Sequence, residues 1–208
     1  MKKMFLASSF KDVAAVFEGF AGDLSGKTMS FIPTASLVES VTFFVKSGKK
    51  ALEKMGLIVD ELEVSTASTE EIERKLMACD LIYVTGGNTF FLLQELRKSG
   101  ADRLIRAQVA AGKLYVGESA GAIVAGPDIG FAKAMDSVKK APELVGTAGL
   151  GLVDFYPVPH HGNAPFKWAV EKIIDAHRES LPLRLMSNQQ AILVHGDEMK
   201  LETAGAKS

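Results

Sequence analysis

Leu114-Tyr115-Val116-Gly117-Glu118-Ser119-Ala120-Gly121-Ala122-Ile123-Val124 is the stretch on which the fold turns. Leu114–Val116 is an apolar run without alternation, the pattern of a strand buried on both faces of a parallel sheet. It runs straight into paired glycines around Ser119, and Ala120–Ala125 beyond them suits a helix. The segment therefore reads as strand, sharp turn, helix.

The same alternation extends outward on both sides. Towards the N-terminus, strands are expected at Lys3–Ala7, Thr28–Pro33, Leu57–Val64 and Leu81–Thr85. Helices are expected at about Lys11–Ala21, Val38–Leu52, Glu70–Met77, Thr89–Ser99 and Ala101–Ala111, with Gly100 and Gly112 as stops. Strands alternating with helices across short connections predict a mainly parallel sheet covered by helices. The C-terminal third differs. Val153–Val158, Arg184–Met186, Ala191–His195 and Met199–Thr203 read as short strands, with one helix near Phe166–Arg178. Gly196-Asp197 predicts a hairpin between the last two. Residues 129–150 lack periodicity and read as loops near the site. The chain reads as one domain of 208 residues.

Bulk composition narrows the function. Lys+Arg is 24 and Asp+Glu 25, a formal net charge of −1, so a general nucleic-acid binder is not expected. The N-terminal run Met4–Ala7 is interrupted by Ser8, Ser9, Lys11 and Asp12 too soon for a signal peptide. No stretch approaches the roughly 20 apolar residues of a membrane span. A single cysteine, Cys79, permits no internal disulfide and reads as a buried structural thiol. A cytoplasmic location is the expectation.

Gly117-Glu118-Ser119-Ala120-Gly121 matches the G-x-S-x-G nucleophile elbow. Such a turn strains the serine backbone, lifts its hydroxyl above the sheet edge and aims the Ala120 N–H at any oxyanion formed there. The plainer alternative makes Ser119 a helix N-cap between packing glycines. Gly86-Gly87-Asn88-Thr89 holds the equivalent place after Leu81–Thr85. Paired glycines allow close approach to the main chain and suit the second half of an oxyanion hole, while Asn88 or Thr89 can also serve as an ordinary N-cap. No P-loop or dinucleotide fingerprint follows a strand. No cofactor is expected.

A serine nucleophile needs a base. His177 lies among charged helix neighbours and His195 at the hairpin. His160 and His161 follow a strand end, and on extended chain only one can face Ser119. The lone cysteine and the absence of a spaced His pair argue against a metal. Asp128, Asp136 and Asp154 all lie between Ser119 and His160 as groups that could orient the imidazole.

Phe31-Ile32-Pro33-Thr34-Ala35, Val84-Thr85-Gly86-Gly87-Asn88-Thr89-Phe90, Leu114–Ala122 and Pro159-His160 occur in an order and spacing that resemble the serine peptidases typified by aspartyl dipeptidase (peptidase E) and cyanophycinase. The resemblance is greatest to the short peptidase E-like proteins of Gram-positive bacteria and runs from the first strand to about His195. It implies a flavodoxin-like sheet of the class I glutamine amidotransferase type. It implies Ser119 as nucleophile, His160 as general base, and an oxyanion hole at Gly87 and Ala120, with Gly86 and Asn88 beside the substrate. Asp136 is the nearest match to the family's acid. A second acidic position of the family aligns with Asn188, so the chain departs from the family there.

The implied substrate is a small peptide, cleaved by a dipeptidase or exopeptidase. A substrate with an N-terminal aspartate needs a cation, for which Lys133, Lys139 and Lys140 are candidates, against a reading as solvated surface. An esterase or amidase with the same apparatus and a non-catalytic metabolite binder are the rival functions. The oligomeric state is open, a homodimer included.

Overall fold

The computed structural model describes residues 1–205, apart from the side chain of Phe44. Seven strands form the central sheet: β1 (Lys3–Ala7), β2 (Thr28–Ile32), β3 (Ile58–Glu61), β4 (Leu81–Val84), β5 (Leu114–Glu118) and, after a small separate pair, β8 (Gln190–His195) and β9 (Glu198–Thr203). Their order is β3-β2-β4-β5-β1-β8-β9. The first five are mutually parallel, while β8 runs antiparallel to β1 and β9 to β8. β6 (Tyr156–Val158) and β7 (Leu183–Leu185) pair parallel to each other outside this sheet. The predicted hairpin is present, closing on Gly196-Asp197 with His195 opposite Glu198.

Seven α-helices are present among the described residues: α1 (Ala14–Ala21), α2 (Phe43–Lys54), α3 (Thr69–Ala78), α4 (Thr89–Ser99), α5 (Ala101–Ala110), the single turn α6 (Ala120–Ile123) and α7 (Lys167–His177). Period-2 alternation sends successive strand residues to two separate cores. Met4, Leu6, Ile82, Val84 and Tyr115 pack against α3, α4 and α5, whereas Phe5, Ala7, Leu81, Tyr83 and Val116 pack against α1 and α2. The central strands are buried on both faces, as their unbroken apolar runs require. The arrangement is a flavodoxin-like α/β fold of the class I glutamine amidotransferase type.

Local chemistry sets the helix ends. Ser68 accepts from the Glu71 N–H to open α3, with Glu70 and Glu71 in its positive first turn. Asn88 does the same for α4, which Gly100 ends in the left-handed region (φ 76°). Several predicted boundaries move. The helix expected from Lys11 begins at Ala14, after a 3-10 turn over Phe10–Asp12, and the strand expected from Val153 begins at Tyr156. The helix expected from Val38 begins only at Phe43, because residues 34–36 form a 3-10 turn, with Leu37 N–H on Thr34 C=O. The strand expected to reach Val64 ends at Glu61. Beyond it, the Glu63 carboxylate turns back to accept from Thr34 Oγ1 (2.7 Å) and Ser65 Oγ (2.8 Å). Cys79 is buried, and no described helix is long and apolar enough to cross a membrane.

Candidate active site

The carboxyl ends of β1, β4 and β5 lie side by side, where ligands of open α/β sheets bind. Between β5 and α6, Ser119 adopts φ 50° and ψ −107°, a strained conformation for a residue with a Cβ. The surroundings hold it there. Its N–H donates to Ala7 C=O (2.8 Å), and its own C=O accepts from Ala122 (2.9 Å) and Ile123 (3.0 Å). Its side chain caps nothing.

The flanking glycines are steric necessities. A Cβ on Gly117 would stand 2.5 Å from Gly121 O, and one on Gly121 would stand 2.2 Å from Val84 O. Gly121→Ala must therefore part α6 from β4. We expect it to cost about 3 kcal/mol, read as a fall in the denaturation midpoint at unchanged slope.

His160 reaches Ser119, and Asn188 stands behind His160. Its Oγ lies 2.8 Å from His160 Nε2, and His160 Nδ1 lies 2.8 Å from Asn188 Oδ1. An amide oxygen can only accept, so Nδ1 carries the imidazole proton and Nε2 is left bare, facing the serine hydroxyl. His160 sits at φ 64°. Its N–H donates to Ser8 Oγ (2.9 Å), which donates onward to Met186 C=O (3.0 Å). Phe166 stacks on the ring at 4.6 Å, and Asn163 Oδ1 accepts from the Asn188 N–H (2.9 Å). Burial pushes the imidazole below the ordinary histidine range, outweighing the Asn188 bond that favours its charged form. Of the adjacent pair, His160 faces the serine; His161 does not line the cleft.

Asp136 does not orient His160. Its Oδ2 accepts from the Thr89 N–H (2.9 Å) and Thr89 Oγ1 (2.5 Å) at the start of α4, where a helix N-terminus favours an anion. Asp128 is held by Gly130 N–H and Thr147 Oγ1. Among the described residues, the group at His160 Nδ1 is the amide of Asn188, the position where the chain departs from the family resemblance.

Gly87 sits opposite the elbow at φ 137°, where a Cβ would stand 2.1 Å from Ala35 O. Neither its N–H nor that of Ala120 donates to any acceptor among the described residues, so both are available to an oxyanion. Asn88 borders the cleft, but the chain itself uses its amide. Oδ1 accepts from Phe91 N–H (3.0 Å), and Nδ2 donates to Ser137 C=O (3.2 Å).

Sequence reasoning did not single out Glu118. Its carboxylate accepts from Phe10 N–H (2.8 Å) and Tyr83 Oη (2.9 Å) beneath the elbow. Burial raises its pKa, against the bonds from Phe10, Tyr83 and the Gly86 backbone. A buried acid at the variable position of G-x-S-x-G carries no sequence signal, because its partners come from two other strand ends. Tyr83→Phe removes one donor from this buried carboxyl. It should destabilise by about 1–3 kcal/mol, measured by denaturant titration.

The site opens into a cleft of about 670 Å³. The predicted loop between α6 and β6 contributes Met135, Asp136, Ser137 and Lys140 to its wall. Of the three candidate lysines, Lys140 borders the cleft, and its Nζ donates to Val38 C=O (2.9 Å). No three His, Cys, Asp or Glu side chains among the described residues gather into a metal-binding group.

Residues 4–202 match the profile of Peptidase family S51. The chain is 53% identical over 208 residues to an uncharacterized peptidase of Listeria innocua, covering all of both chains. It is 33% identical over 137 residues to peptidase E of Haemophilus influenzae, covering 62% of this chain and 61% of that one. A solved Listeria monocytogenes structure, provisionally assigned as a peptidase E, superposes with a TM-score of 0.95 at 52% identity, covering 99% of this chain and 100% of that one. A peptidase from an acI-B1 actinobacterium shares the fold, with a TM-score of 0.74 at 22% identity over 98% and 88% of the two chains. The match runs from the first strand to the last and is carried by a relative of equal length, so this chain belongs to peptidase family S51 and is a peptidase.

Proposed function

We propose that it is a serine peptidase that cleaves short peptides through an acyl-enzyme on Ser119. The observation that carries this reading is the unbroken line Ser119 Oγ–His160 Nε2–Asn188, with both contacts at 2.8 Å. Ser119 Oγ attacks the scissile carbonyl carbon and its proton passes to His160 Nε2. The carbonyl π electrons move onto oxygen, where the Gly87 and Ala120 N–H groups receive the charge. Collapse breaks the C–N bond, and the leaving amine takes the proton back from Nε2. Water then repeats the sequence on the acyl-serine, with His160 as base, and releases the carboxylate product.

Asn188 keeps the imidazole in the tautomer that presents a bare Nε2, the task an Asn performs in papain-like Cys-His-Asn sites. An amide lends the imidazolium a hydrogen bond but no charge. The N-terminus of α6 adds little beyond the Ala120 N–H, since the helix is one turn long.

The pH dependence follows in sign. Catalysis needs neutral His160, so the rate falls as pH drops through its pKa. Burial depresses that pKa, so the acid limb of kcat/KM should lie below the ordinary histidine value of about 6.5. A pH–rate profile on a substrate neutral throughout the range checks it.

A dipeptide library assayed with wild type and Ser119→Ala in parallel tests the function. Hydrolysis by wild type alone supports it, whereas equal hydrolysis by both proteins rules it out. Turnover of short p-nitrophenyl esters with no peptide cleaved would favour the esterase reading.

A further inference from the structure

The cleft beside Ser119 is bordered by apolar side chains and by the carboxylates of Asp12, Glu39 and Asp136. Ile123, Met135, Pro165 and Phe166 line it. Val41 and Phe43 carry the apolar surface out to the mouth, where they are 55% and 65% exposed. The charges are unevenly placed. Lys11 and Lys140 are exposed, and Lys140 is already bonded to Val38 C=O. Glu39 and Asp136 are only partly exposed. Burial raises the pKa of Asp136 against the two bonds from Thr89, and the nearby charge of Glu39 adds to the rise.

Asp136 is anchored through one oxygen only. Thr89 holds Oδ2, and among the described residues nothing donates to Oδ1. Thr89 is two residues beyond Gly87, at most about 7 Å of chain. The carboxylate lies 2.9 Å from the Thr89 N, so it stands within about 10 Å of an oxyanion donor. In a peptide cleaved after its first residue, the α-ammonium is one carbon from the scissile carbonyl. A carboxylate beside the oxyanion hole is therefore placed to receive it.

We propose that the cleft takes short peptides with a free α-amino group and an apolar first side chain, the ammonium pairing with Asp136 Oδ1 and the side chain lying on the Phe166–Met135 wall. An acidic first side chain would meet Glu39 and Asp136 without a buried cation to offset them, so peptides beginning with aspartate are poor substrates. The inference deepens the peptidase reading above and rests on it.

The test compares kcat/KM for Leu-Leu, Phe-Leu, Asp-Leu and N-acetyl-Leu-Leu with wild type, Asp136→Asn and Glu39→Gln. A fluorophosphonate titration of Ser119 is run on each preparation. Wild type should prefer Leu-Leu and Phe-Leu to both Asp-Leu and the acetylated peptide by on the order of 10–10²-fold. Asp136→Asn should cut the free-amine preference by about tenfold, mainly through KM, and Glu39→Gln should move it the same way by less. Asp-Leu as the best substrate, equal cleavage of the acetylated peptide, or an unchanged preference in Asp136→Asn would overturn the inference. If Asp136→Asn does not fold, an unchanged preference in Glu39→Gln overturns it alone. Full labelling of wild-type Ser119 alongside any of these results leaves the serine mechanism standing. No labelling and no hydrolysis removes both.

Discussion

Ser119→Ala should lower kcat/KM for any cleavable peptide by on the order of 10⁵–10⁶-fold, the loss seen when the nucleophile of a serine peptidase is removed. The residual rate would come from the cleft and the two free N–H groups, which still bind the peptide and polarise its carbonyl. The loss should not come from unfolding. The Ser119 side chain caps no helix, and among the described residues its one hydrogen bond is to His160. The backbone at φ 50° is strained for alanine and serine alike. The denaturation midpoint should shift by no more than about 1 kcal/mol, and substrate should still bind. A large stability loss would show that Ser119 serves the fold instead.

Asn188→Ala should lower kcat by about 10²–10⁴-fold with a small change in KM. The range is that observed when the third member of a triad is lost or holds the wrong tautomer. Without the amide oxygen nothing dictates which ring nitrogen carries the proton, and the imidazolium loses its hydrogen bond. Asn188→Asp is the informative partner. A carboxylate at 2.8 Å keeps the tautomer and adds charge, so it raises the His160 pKa. Because the neutral base is the active form, the acid limb of the rate profile should move to higher pH, while the plateau holds or rises. A limb that moves down, or an Asn188→Ala variant of wild-type kcat, contradicts the role given to Asn188.

The residues that were legible in the sequence are those whose chemistry is local. Gly117, Gly121 and Gly87 are required because backbone atoms stand 2.1–2.5 Å from where their Cβ would lie, and such approaches leave a glycine pattern at strand ends. The parallel core was legible because β4 and β5 are buried on both faces and so have no polar alternation. What was not legible depends on competition between distant partners. Asp136 lies at a plausible distance in sequence from Ser119, but Thr89 offers its carboxylate two donors and the N-terminus of α4. Asn188 was marked only by the family resemblance, as standing at the second acidic position. It reaches His160 because β6 and β7 pair in their own small sheet, a pairing no periodicity announces. Glu118 depends on donors from Phe10 and Tyr83, residues that read as plain core.

Mass analysis after fluorophosphonate treatment bears most directly on the central claim, that Ser119 is a nucleophile activated by His160. Wild type should gain one phosphonyl group, mapping to the peptide that carries Gly117–Gly121. Ser119→Ala should gain none, and labelling of His160→Ala should slow by at least about 10²-fold. Equal labelling of wild type and Ser119→Ala, or a label mapped to another residue, would contradict the account.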